Sequence, residues 1–132
     1  MTIIHKSAFL AMLLLFSFNL SAQTLKHVNV KESVKQISEN EFQLILNVEI
    51  DENWKLYVAP NNGEGPIVFS SKVGKNKNVE IINAFETVNK PITAFDPIFK
   101  INVSYLKDKA TFVQTVRLKN PKKSGRVDIE FE

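Results

Sequence analysis

Apolar and polar residues alternate along most of this chain. Phe42, Leu44, Leu46, Val48 and Ile50 occupy every second position, with Gln43, Ile45, Asn47 and Glu49 between them. Successive side chains of a strand point to opposite faces, so the segment is expected to be a strand with one buried face. The same reading puts Phe99, Ile101, Val103 and Tyr105 on one face of a second strand. It sets Val127, Ile129 and Phe131 opposite Arg126, Asp128 and Glu130 in a third. Val28 with Val30, then Trp54, Leu56 and Val58, then Val79 with Ile81, and the run from Thr111 to Leu118 are weaker candidates. Turn chemistry separates these segments at Ser38-Glu39-Asn40, Asp51-Glu52-Asn53, Pro60 to Pro66, Gly74 to Asn78, Lys107-Asp108-Lys109 and Asn120 to Gly125. No stretch keeps a helical stripe for three turns. Seven to nine short strands without intervening helices predict an all-β fold, an antiparallel two-sheet sandwich rather than a barrel or an α/β sheet.

One stretch breaks the rhythm. Between Phe85 and Phe99, two prolines interrupt the alternation while three phenylalanines keep the segment apolar. It is expected to be a long connection lying against the sandwich, either pinned there by its phenylalanines or serving as a lid over a site. A second loop, Asn61-Asn62-Gly63-Glu64-Gly65-Pro66, is polar and flexible in composition. Its Gly-x-Gly opens no helix and so makes no phosphate cradle.

The first 22 residues read as a secretory signal peptide: His5 and Lys6, an apolar run from Ala8 to Phe18 broken only by Ser17, and a small residue before a cut after Ala22. That run is well short of the roughly 20 apolar residues that span a bilayer, so export with cleavage is expected and the mature chain carries no membrane span. Residues 23–132 then form one domain of 110 residues, enough to bury a core without disulfides or metal. Cleavage removes Lys6, leaving 16 Lys and Arg against 14 acids. Lys72, Lys75 and Lys77, and Lys119, Lys122, Lys123 and Arg126, lie among turn residues and read as solvated loops, so no nucleic-acid partner is indicated.

The catalytic inventory is thin. His27 is the only histidine after the leader and there is no cysteine, which argues against a histidine-based metal cluster or a Ser-His-Asp arrangement. No cofactor is indicated. Glu80, Glu86 and Asp96 are carboxylates that paired-acid chemistry would need to bring into one concave site. Trp54 and Tyr57 fall on opposite faces of their expected strand and form no aromatic stripe for a sugar. Asn102-Val103-Ser104 matches the glycosylation pattern but lies inside an expected strand.

Five elements in register then carry a resemblance. They are Asp51-Glu52-Asn53-Trp54-Lys55-Leu56-Tyr57; Gly65-Pro66; Asn89-Lys90-Pro91-Ile92 with Phe95-Asp96-Pro97 and Phe99; Phe112-Val113-Gln114-Thr115-Val116; and Gly125 with Val127 to Phe131. In this order, from about Leu25 to Glu132, the chain resembles the N-terminal domain of the thiol:disulfide interchange protein DsbD. The resemblance implies an immunoglobulin-like sandwich in the periplasm that passes reducing equivalents to thioredoxin-fold partners. In that family the strand matching Val127 to Phe131 runs into a hairpin with two cysteines, and the chain stops before either. Thiol-disulfide exchange requires an attacking thiolate and a resolving partner, so the chain as written is expected to be redox-inert and not an enzyme. It would be a sandwich lacking its last hairpin, either a truncated copy or a docking module. The family's lid corresponds to part of Phe85 to Asp96, with Phe85 as the covering aromatic.

The surface expected to dock a thioredoxin-fold envelope protein is the end bearing Phe85, Lys90, Phe95 and Asp96, together with Tyr57. The alternative is a cysteine-free immunoglobulin-like structural or protein-binding domain of the cell envelope, whether periplasmic or extracellular, since sandwiches host many functions.

Overall fold

A computed structural model describes residues 27–60, 62–123, 125 and 127–131. The leader expected at 1–22 lies outside the described residues. Ten strands follow in order: β1 Val28–Gln36, β2 Glu41–Ile50, β3 Leu56–Ala59, β4 Ser71–Val73, β5 Val79–Ile81, β6 Glu86–Thr87, β7 Ile92–Asp96, β8 Ile101–Leu106, β9 Lys109–Leu118 and β10 Ile129–Phe131. All pairings are antiparallel. The described residues hold no helix, and the chain is the all-β sandwich that its alternation predicts.

One layer runs β1-β2-β9-β5, with β6 also pairing β9. The other is built from β3-β8-β7 and the short pair β10-β4. Alternation explains the core directly. Phe42, Leu44, Leu46, Val48 and Ile50 of β2 are all buried, and so are Ala110, Phe112, Val116 and Leu118 of β9. Register sets Phe42 beside Val116 and Leu46 beside Phe112 on the same inner face. Leu56, Leu106, Val73, Val127 and Ile129 close on them from the opposite layer.

Three expectations need correction. Phe85 to Phe99 is not one long connection, because it contains β6 and β7. Pro91 and Pro97 flank β7 instead of interrupting it, and a proline at the end of an edge strand breaks no ladder bond. The strand expected around Trp54 begins only at Leu56, and Trp54 sits in the preceding turn. The strand expected from Phe99 begins at Ile101.

The outer face of the β3-β8-β7 sheet is covered in part, at Ile101. A Cβ on Gly65 would stand 2.7 Å from Ile101 Cδ1, so the backbone of the 62–66 turn lies directly against β8. Gly65 also has φ +90°, a conformation that suits glycine.

β1 is an outer strand whose inner row reads Val28, Val30, Glu32, Val34, Gln36. Glu32 is an inward charge on an edge, a device that discourages edge-to-edge pairing. Burial raises its carboxyl above the ordinary value of 4.5, partly offset by a backbone hydrogen bond. Its favourable contribution is therefore complete below the unfolded value and is lost as pH rises through the folded one. Glu32→Val is expected to gain about 1 kcal/mol at pH 7 in urea unfolding and to promote self-association by light scattering. A less stable variant that associates no more than the parent would refute this role.

Candidate functional site: a phenylalanine-lined cleft between the layers

The segment from Ile82 to Asn89 runs along the free edge of β9 with only short stretches of regular ladder, and asparagines supply the missing bonds. Asn83 Oδ1 accepts from the Thr115 backbone N–H at 2.7 Å, and Asn89 Oδ1 accepts from that of Thr111 at 2.7 Å. Backbone bonds from Ile82 N–H to Thr115 and from Val88 N–H to Thr111 add to them. The Gln114 side chain reaches the same segment from the core, its Nε2 donating to the Asn83 carbonyl at 2.6 Å. Phe85 is thus held at the edge of one layer, half-buried and packed on the core.

Across from it, Phe69 is fixed by its N–H donating to the Tyr57 carbonyl at 2.7 Å, and its ring lies 4.8 Å from that of Phe112. Phe69, Phe85 and Phe112, with Val58, Pro91 and Ser104, line a cleft of about 420 Å³. A smaller hollow of about 190 Å³, bordered by Ser70, Ser71 and Ala84, shares the same three rings. No charged residue lines either space.

The hydroxyls at the cleft are engaged locally. Ser104 Oγ lies 2.8 Å from Thr93 Oγ1, and Thr87 Oγ1 accepts from the Asn89 N–H at 3.1 Å. Such a site can take up an apolar side chain, and serine and threonine hydroxyls are the only polar side chains that line it. No group of three or more His, Asp or Glu that could hold a metal occurs among the described residues.

The five residues expected to form one docking surface are divided. Phe85 lines the cleft, and Lys90 is exposed next to Pro91 at its rim. Phe95 lies on β7 opposite Asn102 and is largely exposed. Asp96 shapes the chain: its Oδ1 accepts from the N–H groups of Ile98 and Phe99 at 2.8 and 3.2 Å, fixing the turn into β8. Tyr57 pairs with Tyr105 on the outer face, the rings 6.1 Å apart, and Lys55 Nζ stands 4.4 Å from the Tyr105 ring. Ser104 and Leu106, which face the other layer, alternate with Tyr105, so Tyr57 is turned away from the cleft. Glu80 lies 3.7 Å from Arg117 Nη1, Glu86 lies on β6, and Asp96 holds the turn into β8; the three form no group of the kind that could hold a metal among the described residues.

Phe69 and Phe112 are cleft residues that sequence reasoning did not single out as a site. Phe112 was legible as an inner position of its strand; Phe69 lies in a stretch without period. Away from the cleft, His27 stacks on Trp54 with ring centroids 3.6 Å apart and an interplanar angle of 9°, its Nδ1 3.3 Å from Asp51 Oδ2. This contact pins the start of β1 to the turn after β2. No protein-family model, curated protein or solved structure matches the chain.

Proposed function

We propose that the chain is an exported docking domain of the cell envelope, an immunoglobulin-like sandwich related to the DsbD N-terminal domain, whose cleft receives an apolar segment of a thioredoxin-fold protein. The observation that carries this reading is Phe85. It belongs to the stretch that resembles the family's lid, and it borders an uncharged cleft walled by two further phenylalanines. Apolar clefts with a few fixed hydroxyls suit recognition more than chemistry. With no cysteine in its 132 residues the chain supplies no thiolate of its own, so its role is to bind and position. The five motifs in order favour this over an unrelated sandwich, and the periplasm is the compartment that the expected leader and the resemblance support.

The half-burial of Phe85 supports the alternative of a purely structural domain, in which the ring only packs. Calorimetric titration against thioredoxin-fold proteins of the same envelope separates the two. Phe85→Ala is expected to weaken binding at least tenfold, as loss of a buried aromatic anchor does, while Phe85→Leu keeps the packing and loses less. Equal affinity for both variants and the parent, with urea unfolding showing each one folded, would leave the structural reading.

A further inference from the structure

Among the described residues, seven of the ten large apolar side chains that are exposed come from residues 81–99: Ile81, Ile82, Val88, Ile92, Phe95, Ile98 and Phe99. Two of them, Ile92 and Phe95, lie on β7, the outer strand of the β3-β8-β7 sheet. No other described segment pairs with the free side of β7. An exposed apolar edge is a template for another strand unless it is protected.

The sandwich protects its other long edge. β1 carries Lys31, Lys35 and the inward Glu32. β7 has no lysine, arginine or proline within it, and its register to β8 runs unshifted from Ile92 opposite Tyr105 to Asp96 opposite Ile101. It is a regular edge.

We infer that β7 pairs with β7 of a second copy, antiparallel about a two-fold axis at Thr93, so that two three-stranded sheets join into one of six. Charge selects the copy as the occupant. Centred on Thr93, this pairing sets Lys90 opposite Asp96 of the second copy, and the symmetry repeats the contact at the other end. Asp96 belongs to the row of Ile92 and Ala94; the extended backbone favoured before Pro91 would bring Lys90, two positions before Ile92, to the same face. Asp96 spends Oδ1 on its own turn, and no bond to Oδ2 occurs among the described residues. The same centre sets Ile92 opposite Ala94 and Phe95 opposite Pro91. Moving it to Ala94 would oppose Ile92 to Asp96 and Lys90 to Ile98, losing every charge match. Such an interface is isologous and closes after two copies. It uses the edge of the sheet, whose neighbour Pro91 also lines the cleft, and it is tested by variants other than those that test the docking reading.

Sedimentation equilibrium on the mature chain tests this. A concentration-dependent dimer is expected. Thr93→Pro, which removes an edge N–H, and Phe95→Lys, at a side chain already largely exposed, should both give monomers with unchanged circular dichroism. Lys90→Glu sets like charges opposite each other twice and should weaken the dimer about tenfold. A monomer at every concentration, a dimer that persists in both Thr93→Pro and Phe95→Lys, or a monomeric parent whose β7 binds only an unrelated extended peptide would overturn the proposal. Unchanged dimerisation of Lys90→Glu would overturn the Thr93-centred register.

Discussion

Phe42→Ala is expected to remove about 3–5 kcal/mol of folding stability, the usual cost of truncating a fully buried phenylalanine. Phe42 is 1% exposed and packs within the inner face shared by β2 and β9, beside Val116 at 0%. These strands pair over nine residues from Glu41 to Glu49, so the neighbours that could collapse into the cavity are held by a continuous ladder. The truncation therefore forfeits transfer free energy and leaves a void as well. A domain of this size has on the order of 5–15 kcal/mol in total, so much of the population would be unfolded near physiological temperature. Urea unfolding followed by far-UV circular dichroism measures the loss. Phe95→Ala, compared with the parent at a concentration low enough for both to be monomeric, serves as the control, since 63% of that residue is in solvent in the single chain and its removal should change stability by under about 0.5 kcal/mol. A loss below about 1 kcal/mol at Phe42 would mean that the two layers do not share one cooperative core.

The contrast between Phe42 and Phe95 also explains which parts of the fold were legible. β2 and β9 each bury a full row of alternating side chains, and burial is what selection writes into a sequence as period two. β7 leaves four of its five residues exposed, so its sequence carries β propensity without a burial rhythm, and two prolines at its ends read as interruptions. β4 and β10 have three residues each, too few for alternation to be distinguished from chance. The cleft was legible only at Phe85. Its other walls come from β3, β8, β9 and the unpatterned approach to β4, segments that only the folded register brings together. The division of the expected surface has an equally local cause. Tyr57 sits across from Tyr105, whose position in the alternation turns both rings outward, and Asp96 is committed to the turn that starts β8.

The stitching of the Phe85 segment leads to the second large effect, at Gln114. This side chain is 5% exposed, with its Nε2 donating to the Asn83 carbonyl and its buried Oε1 without a hydrogen-bond partner among the described residues. The site therefore rewards a donor and already tolerates one orphaned oxygen at a cost of about 1–3 kcal/mol. In Gln114→Glu a protonated carboxyl can still donate to Asn83, whereas the ionised form would be a desolvated charge facing a carbonyl oxygen. Burial must then raise the new carboxyl above its unfolded value of about 4.3. The sign follows: the variant keeps its stability below that value and loses it progressively as pH rises towards the raised folded value, each pH unit between the two costing about 1.4 kcal/mol. Measured against the parent at each pH, so that Glu32 cancels, the deficit should be about 1 kcal/mol or less at pH 4 and several kcal/mol at pH 7. Gln114→Leu should show no such pH dependence, because it removes both the donor and the orphaned acceptor. Equal deficits at pH 4 and pH 7 in the glutamate variant would show that position 114 reaches water. Because the lost bond is one of the two that tie Asn83 to β9, amide exchange in the Ile82 to Asn89 segment should quicken first. The cleft would then lose its Phe85 wall before the sandwich itself unfolds.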